Sequence, residues 1–465
     1  MGERSMKRSL KTISAQILLA VFISVYIYGM AYCAEKKAQK YVPPFFKGVR
    51  KEVLDNGLTI ITLNKEDSPL VSINIFVNTG SVNEDDRITG ISHFCEHLFY
   101  RGTEKRTGIE MKKEIEQLGG VFNAETSRDF TRFFVNIPSE YGLQALEIYC
   151  DAIKNANYPT ESIDQERKVI LEEYNLTTQS PSATLYDKVY SMAYSEHPYR
   201  RSIIGTVNSL KGFKREDFLN YKKTYYSPEN LVILIIGKFD RAKYISFIKD
   251  HFKDMPGGIS SRTSVRAQEP PLVEKKELIE AKPFLGTRAI FMMGYRGPGV
   301  VDEEDVLAMD VLVFLLGQGK NSLLTREMKD KRKMSIEVGA DYYTTKDPGL
   351  ILFTSEIPPE DIEKLKESIF TVLFDVKKGG ITEAETERAK NILLKKFVYG
   401  NETLDGKADS LGFYEILRGM NFAVDYIPRI KKLTKDDLVR VANKYFTDKY
   451  VLYVVKPDKR EKPER

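Results

Sequence analysis

The 465-residue chain predicts an α+β fold built twice, as two homologous α/β-sandwich domains in which a sheet is covered by helices. Three observations lead there. The chain is too long for one ordinary domain, which holds about 100–200 residues. Two segments match at a constant offset of 220 residues. "KREDFLNYKKTYYSPENLVILII" begins at Lys214 and "TKDDLVRVANKYFTDKYVLYVVK" at Thr434, so that Asp217 falls on Asp437, Phe218 on Leu438 and Tyr226 on Phe446. Upstream, "VSINIFVNTGSVNEDD" from Val71 resembles "RAIFMMGYRGPGVVDEED" from Arg288 at nearly the same offset. Finally, each half opens with β-rich runs, passes through amphipathic helices and closes with helix then strand, the mixed order of a layered α+β domain.

Taken in chain order, the first 34 residues stand apart. Arg4, Lys7, Arg8 and Lys11 form a basic start, and Thr12 to Ala34 carries no charge. Small residues Ala31, Cys33 and Ala34 then precede "EKK". This is the layout of a secretory signal peptide, and the run is also long enough for an uncleaved membrane anchor. Either way the remainder is expected outside the cytoplasm, in the periplasm if the source is a Gram-negative bacterium. Residues 44–254 form the first domain and 272–458 the second. The joint is the Gly-, Ser- and Pro-rich "MPGGISSRTSVRAQEPP", residues 255–271. A net charge of +5 is small for this length and argues against a nucleic-acid partner. Beyond the N-terminal segment only Cys95 and Cys150 remain, enough for one bridge, although Cys95 can equally pack as a small hydrophobe.

The chemistry concentrates in "HFCEH", residues 93–97, which holds two of only four histidines. On a helix His93 and His97 are at i and i+4 and share a face with Glu96. Ile91, Phe94, Leu98, Phe99 and Tyr100 mark the helix as buried, and buried imidazoles need partners. Two neutral imidazoles on one metal ion, with a carboxylate beside it, answer that need. The repeat places this motif opposite "VFLLG", residues 313–317, which has none of its polar members, so the chemistry belongs to the first half.

A catalytic zinc normally takes a third protein ligand. "IDQERKVILEEYNL", residues 163–176, offers one. On a helical projection Ile163, Val169, Ile170, Glu173 and Leu176 gather around Glu166, while Asp164, Gln165, Lys168 and Glu172 fall opposite and Leu171 is the exception. Glu166 and Glu173 thus sit on the apolar face, where a carboxylate must be paired or metal-bound. Further upstream, "GGVFNAETSRDFTRFFVNIP" reads as a turn leading into a strand.

His-x-x-Glu-His is the inverted motif of the inverzincins. With "GISHFCEHLFYRGTEKR", "LGGVFNAETSRDFTRFFV", "IDQERKVILEEYN", "HPYRRSIIGTVNSL" and "YYSPENLVILIIG" in order, the first half resembles the pitrilysin, insulinase and mitochondrial processing peptidase family. The second half resembles it more loosely, through "ITEAETERAKNILL" and its closing helix and strand. The resemblance implies a clam-like half-chamber and one zinc ion per chain, held by His93, His97 and Glu173. It implies Glu96 as catalytic base and Glu166 as a supporting acid. It also implies an edge strand that binds a peptide by strand addition, with Asn123, Ala124 and Thr126 at the contact positions. His197, in "HPYRR", resembles a structural loop residue and is not a ligand candidate.

One segment departs from the pattern. Many active members carry a second-half stretch resembling "SRLFQEVREKRGLAYSV", whose arginine and tyrosine hold substrate and stabilise the oxyanion. Here "NSLLTREMKDKRKMSIEV", residues 321–338, puts Lys329 at the arginine and Ile336 at the tyrosine. A shifted alignment could recruit Arg326 or Tyr342. The expectation is an exported zinc metalloendopeptidase subunit completed by a homologous subunit that supplies the Arg/Tyr pair, with membrane contact only through an uncleaved N-terminal segment. The alternatives are a non-catalytic assembly subunit with a relic motif and a zinc hydrolase of non-peptide substrates.

Overall fold

Runs of β-branched and aromatic residues build two sheets in the computed structural model, which describes residues 41–258, 268–283, 286–334 and 337–458. The basic and charge-free N-terminal segment, most of the Gly/Ser/Pro joint, and Ile336 lie outside the described residues. The first sheet holds β1 (Arg50–Val53), β2 (Thr59–Asn64), β3 (Leu70–Val77), β4 (Val121–Thr126), β5 (Thr131–Pro138) and β6 (Leu231–Gly237), in the order β1-β2-β6-β3-β5-β4. The second holds β7 (Lys276–Lys282), β8 (Ala289–Arg296), β9 (Val338–Tyr343), β10 (Leu350–Ile357) and β11 (Val451–Pro457), in the order β7-β11-β8-β10-β9.

The two orders are the same once β1 is set aside. β2 runs parallel to β6 as β7 does to β11, and every other pairing is antiparallel. The helices before the closing strands, Arg215–Tyr225 and Lys435–Tyr445, each begin with an Asp three residues after the cap position. Thus the offset seen in the sequence reappears as repeated topology.

Both faces of the first sheet are covered, which is why β2 and β6 are apolar almost throughout. Ile60, Ile73, Ile75, Ile233 and Ile235 bury against the first half's own helices. Ile61, Leu63, Phe76, Val232, Leu234 and Ile236 belong to a core shared with the second half. Each half also lends a helix to the other. Pro181–Ala193 sets Leu185, Val189 and Tyr190 against Met292, Leu352 and Tyr453 of the second sheet. Leu404–Leu417 lies on β3 and β6, with Gly412 so close to Phe76 that a Cβ would stand 2.2 Å from the ring. The two halves are therefore interleaved, an arrangement that sequence boundaries do not display.

Polar contacts close the same seam. Buried His197 sets Nε2 3.1 Å from Asp347 Oδ2, and the Asp347 N–H donates to the Tyr199 hydroxyl at 3.2 Å. Arg132, buried on β5, reaches Glu125 on β4 and Asp409 of the second half, both at 3.2 Å. His197 is thus engaged in a contact with the second half.

Two expectations need correction. "GGVFNAETSRDFTRFFVNIP" forms two strands, not one. Ser127 turns the chain between β4 and β5 by accepting the N–H groups of Asp129 and Phe130 on its hydroxyl. On the helix that carries Glu166, Val169 and Leu176 are 49% and 61% exposed, whereas Leu171 and Tyr174 pack partly on the core. The buried stripe is therefore rotated from the projected one. Cys95 and Cys150 are both free and buried.

Candidate metal centre

The motif forms a short helix, Ile91–Phe99. It starts at Gly90, whose φ of +94° favours glycine, and a Cβ there would lie 2.7 Å from the Gly205 Cα. The Glu84 carboxyl accepts the N–H groups of Gly90 and Ser92 at 2.8 and 2.9 Å, which satisfies two free donors at the start of the helix. Burial nevertheless pushes that carboxyl up to about 8. Ile91, Phe94, Leu98 and Phe99 are buried, which turns His93, Glu96 and His97 to the opposite, partly open side.

A second helix, Thr160–Gln179, lies across it. Glu173 Oε2 is 3.7 Å from His93 Nε2 and 3.6 Å from His97 Nε2. All three ligand atoms lie within 4.8 Å of one another. Tetrahedral ligands bound at about 2.1 Å stand about 3.4 Å apart, so the two Glu173 distances already suit a zinc ion and the imidazole pair would close by at most about 1.4 Å. His93 is held near 4 by burial and by the neighbouring His97, and is therefore the neutral imidazole that a metal requires. The adjacent His97 imidazole lowers the Glu173 carboxyl, keeping it anionic.

The remaining acidic groups divide the work. Glu166 is 2% exposed and faces His97 Nδ1 at 2.9 Å, which leaves Nε2 for the metal side. Glu96 is raised by burial, and its Oε2 accepts the Thr126 hydroxyl at 3.0 Å. Glu172 is exposed and outside the cluster. Glu172 and Glu173 thus face different sides, while Glu173 itself is only half-buried and not in the middle of an apolar face.

β4 is an outer strand of the first sheet. It brings Thr126 to Glu96 and presents exposed Asn123, whose side chain accepts the Ala124 N–H at 2.9 Å. The Tyr100 hydroxyl, just past the motif helix, fixes β4 by donating to the Asn123 carbonyl at 2.8 Å. Motif and strand edge are therefore one rigid assembly. In the sequence Thr126 reads only as a substrate contact and Tyr100 only as a buried residue, while Glu84 and Arg101 are not singled out. The signal for Arg101 was present, since it stands four residues after His97.

The family described as Insulinase (Peptidase family M16) matches residues 59–207, and that described as Peptidase M16 inactive domain matches residues 212–393. The chain belongs to this metallopeptidase family, with the motif in the first region and a motif-free second region. It is 28% identical to zinc protease PqqE of Helicobacter pylori over 89% of this chain and 93% of that one. It is 26% identical to the probable mitochondrial-processing peptidase subunit beta of Arabidopsis thaliana, covering 86% of this chain and 76% of that protein. Among solved structures, a protease from Helicobacter pylori superposes with a TM-score of 0.83 at 28% identity, over 90% of this chain and all (100%) of that one.

Proposed function

We propose that this chain is an exported zinc metalloendopeptidase subunit that hydrolyses peptides or unfolded segments. The observation that carries the reading is the convergence of His93, His97 and Glu173 within 4.8 Å, beside Glu96 and an outer strand. His93, His97 and Glu173 would hold one zinc ion. When bound, zinc supplies Lewis acidity and brings water ionisation toward about pH 7. Glu96 takes the proton of the attacking water and passes it to the leaving amine. Thr126 donates to Oε2 of that carboxylate and helps to orient it. The peptide adds as a strand along β4, with Asn123 and Ala124 at the contact. Names of relatives support the peptidase reading, and the charge-free N-terminal run supports export.

The oxyanion half comes from a partner. Arg326 is paired with Glu385, and the Tyr342 hydroxyl donates to the Pro298 carbonyl at 2.8 Å, so both substitute candidates are already engaged. Lys329 is exposed on the short π-turn Glu327–Lys331. A homologous subunit that lacks His-x-x-Glu-His and keeps an Arg/Tyr pair would complete the site. Loss of one oxyanion donor costs ~100- to 1,000-fold in turnover, so the purified chain should digest an unstructured peptide slowly. Mixing with that subunit should restore the rate. Full activity of the single chain would contradict the partner reading.

A further inference from the structure

The two helices at the metal centre meet as a ladder. His93, His97 and Arg101 follow one another at intervals of four residues, and Glu166 and Glu173 are seven apart on the facing helix. Glu173 lies between His93 and His97. Glu166 lies one rung along, with Oε2 on His97 Nδ1 and Oε1 paired with the guanidinium of Arg101. The Glu166 side chain is 3% exposed, so water does little to hold it, and those two side chains fix its orientation.

Arg101 is itself held from behind. Its N–H donates to the Leu98 carbonyl at 3.1 Å, ending the helix. Gly102, at φ +103°, then turns the chain back so that Thr107 bridges to Gly102. Gly108 packs so closely that a Cβ there would lie 2.8 Å from the Arg101 Cα. The guanidinium is thus delivered to Glu166 by a backbone with little freedom. A cation at the end of the helix would stabilise the carbonyl terminus wherever it pointed. That general role does not require its tip to meet the one carboxylate that braces a ligand.

We propose that Arg101 is a positioning residue for the metal centre, acting through Glu166 to set the His97 imidazole. This rests on the zinc reading above. Groups that brace a metal-bound histidine typically contribute 10- to 100-fold in affinity. One guanidinium nitrogen, Nη2, meets Glu166 Oε1, and a lysine ammonium on a shorter stem can replace that contact only in part.

The test is the zinc dissociation constant of the full chain, read by chelator competition. Arg101→Met should weaken zinc binding ~10- to 100-fold, and Arg101→Lys should recover part of the loss. In a Glu166→Gln background Arg101→Met should add little, because the path to His97 is already cut. An unchanged constant in Arg101→Met, or an equal loss with and without Glu166, overturns the proposal. If the Met variant does not fold, an unchanged constant in Arg101→Lys does so. A wild-type chain that holds no zinc defeats the zinc reading and this inference together, whereas tight wild-type binding with an unaffected Arg101→Met defeats only the inference.

Discussion

At the scale of single residues, the site depends on which carboxylates face which imidazoles. Glu172 and Glu173 are neighbours with the same chemistry, yet only Glu173 stands within 3.7 Å of His93 and 3.6 Å of His97. Glu173→Gln should therefore weaken zinc binding by more than about 100-fold, beyond the loss typical of a supporting group. Glu172→Gln should leave it near wild type. Equal zinc content of the two variants after mild dialysis would remove Glu173 from the ligand set. The distinction was legible in the sequence because helical periodicity separates adjacent residues by about 100°. Thr126 was not legible as the partner of Glu96, because it sits on another element and only sheet order brings it there.

At the scale of elements, the motif helix is placed by its surroundings and the halves are joined by clasps. The Glu269 carboxylate, near the end of the Gly/Ser/Pro joint, accepts N–H groups of Ser195, Glu196 and His197 and also pairs with Arg296 at 2.8 Å. Burial alone would raise that carboxyl, but the backbone donors of His197, Ser195 and Glu196 outweigh it and pull the value down to about 2. A folded value below the unfolded one adds stability above the unfolded pKa of about 4.3, and that stability is lost as pH falls toward about 2. Glu269→Ala should thus cost on the order of 2 kcal/mol at neutral pH and progressively less below about pH 4. Denaturant unfolding across that range checks it, and a pH-independent difference would deny the clasp its charge. The existence of the helices and closing strands was readable from periodicity. The β4–β5 turn was missed because "TSRD" carries no glycine or proline, and Ser127 makes the turn with its hydroxyl instead.

At the scale of the whole molecule, duplication supplied two similar sheets and only one of them carries the motif. The offset of 220 residues disclosed the repeat, but not that each half covers the other's sheet with a helix. No local pattern records that exchange, since an apolar helix face does not reveal whose sheet it meets. The interleaved core supports the helices of the metal centre, and β4 forms the outer edge of the sheet beside them. The central claim is that this assembly is a zinc peptidase in which Glu96 moves the proton and holds no metal. It is tested most directly by zinc content and hydrolysis of an unstructured peptide measured together, on the full chain and its Glu96→Gln variant, with the homologous subunit present. The account predicts equal zinc in the two proteins and a fall in hydrolysis of at least about 100-fold in the variant. Loss of zinc on the substitution, or hydrolysis near the wild-type rate, would contradict it.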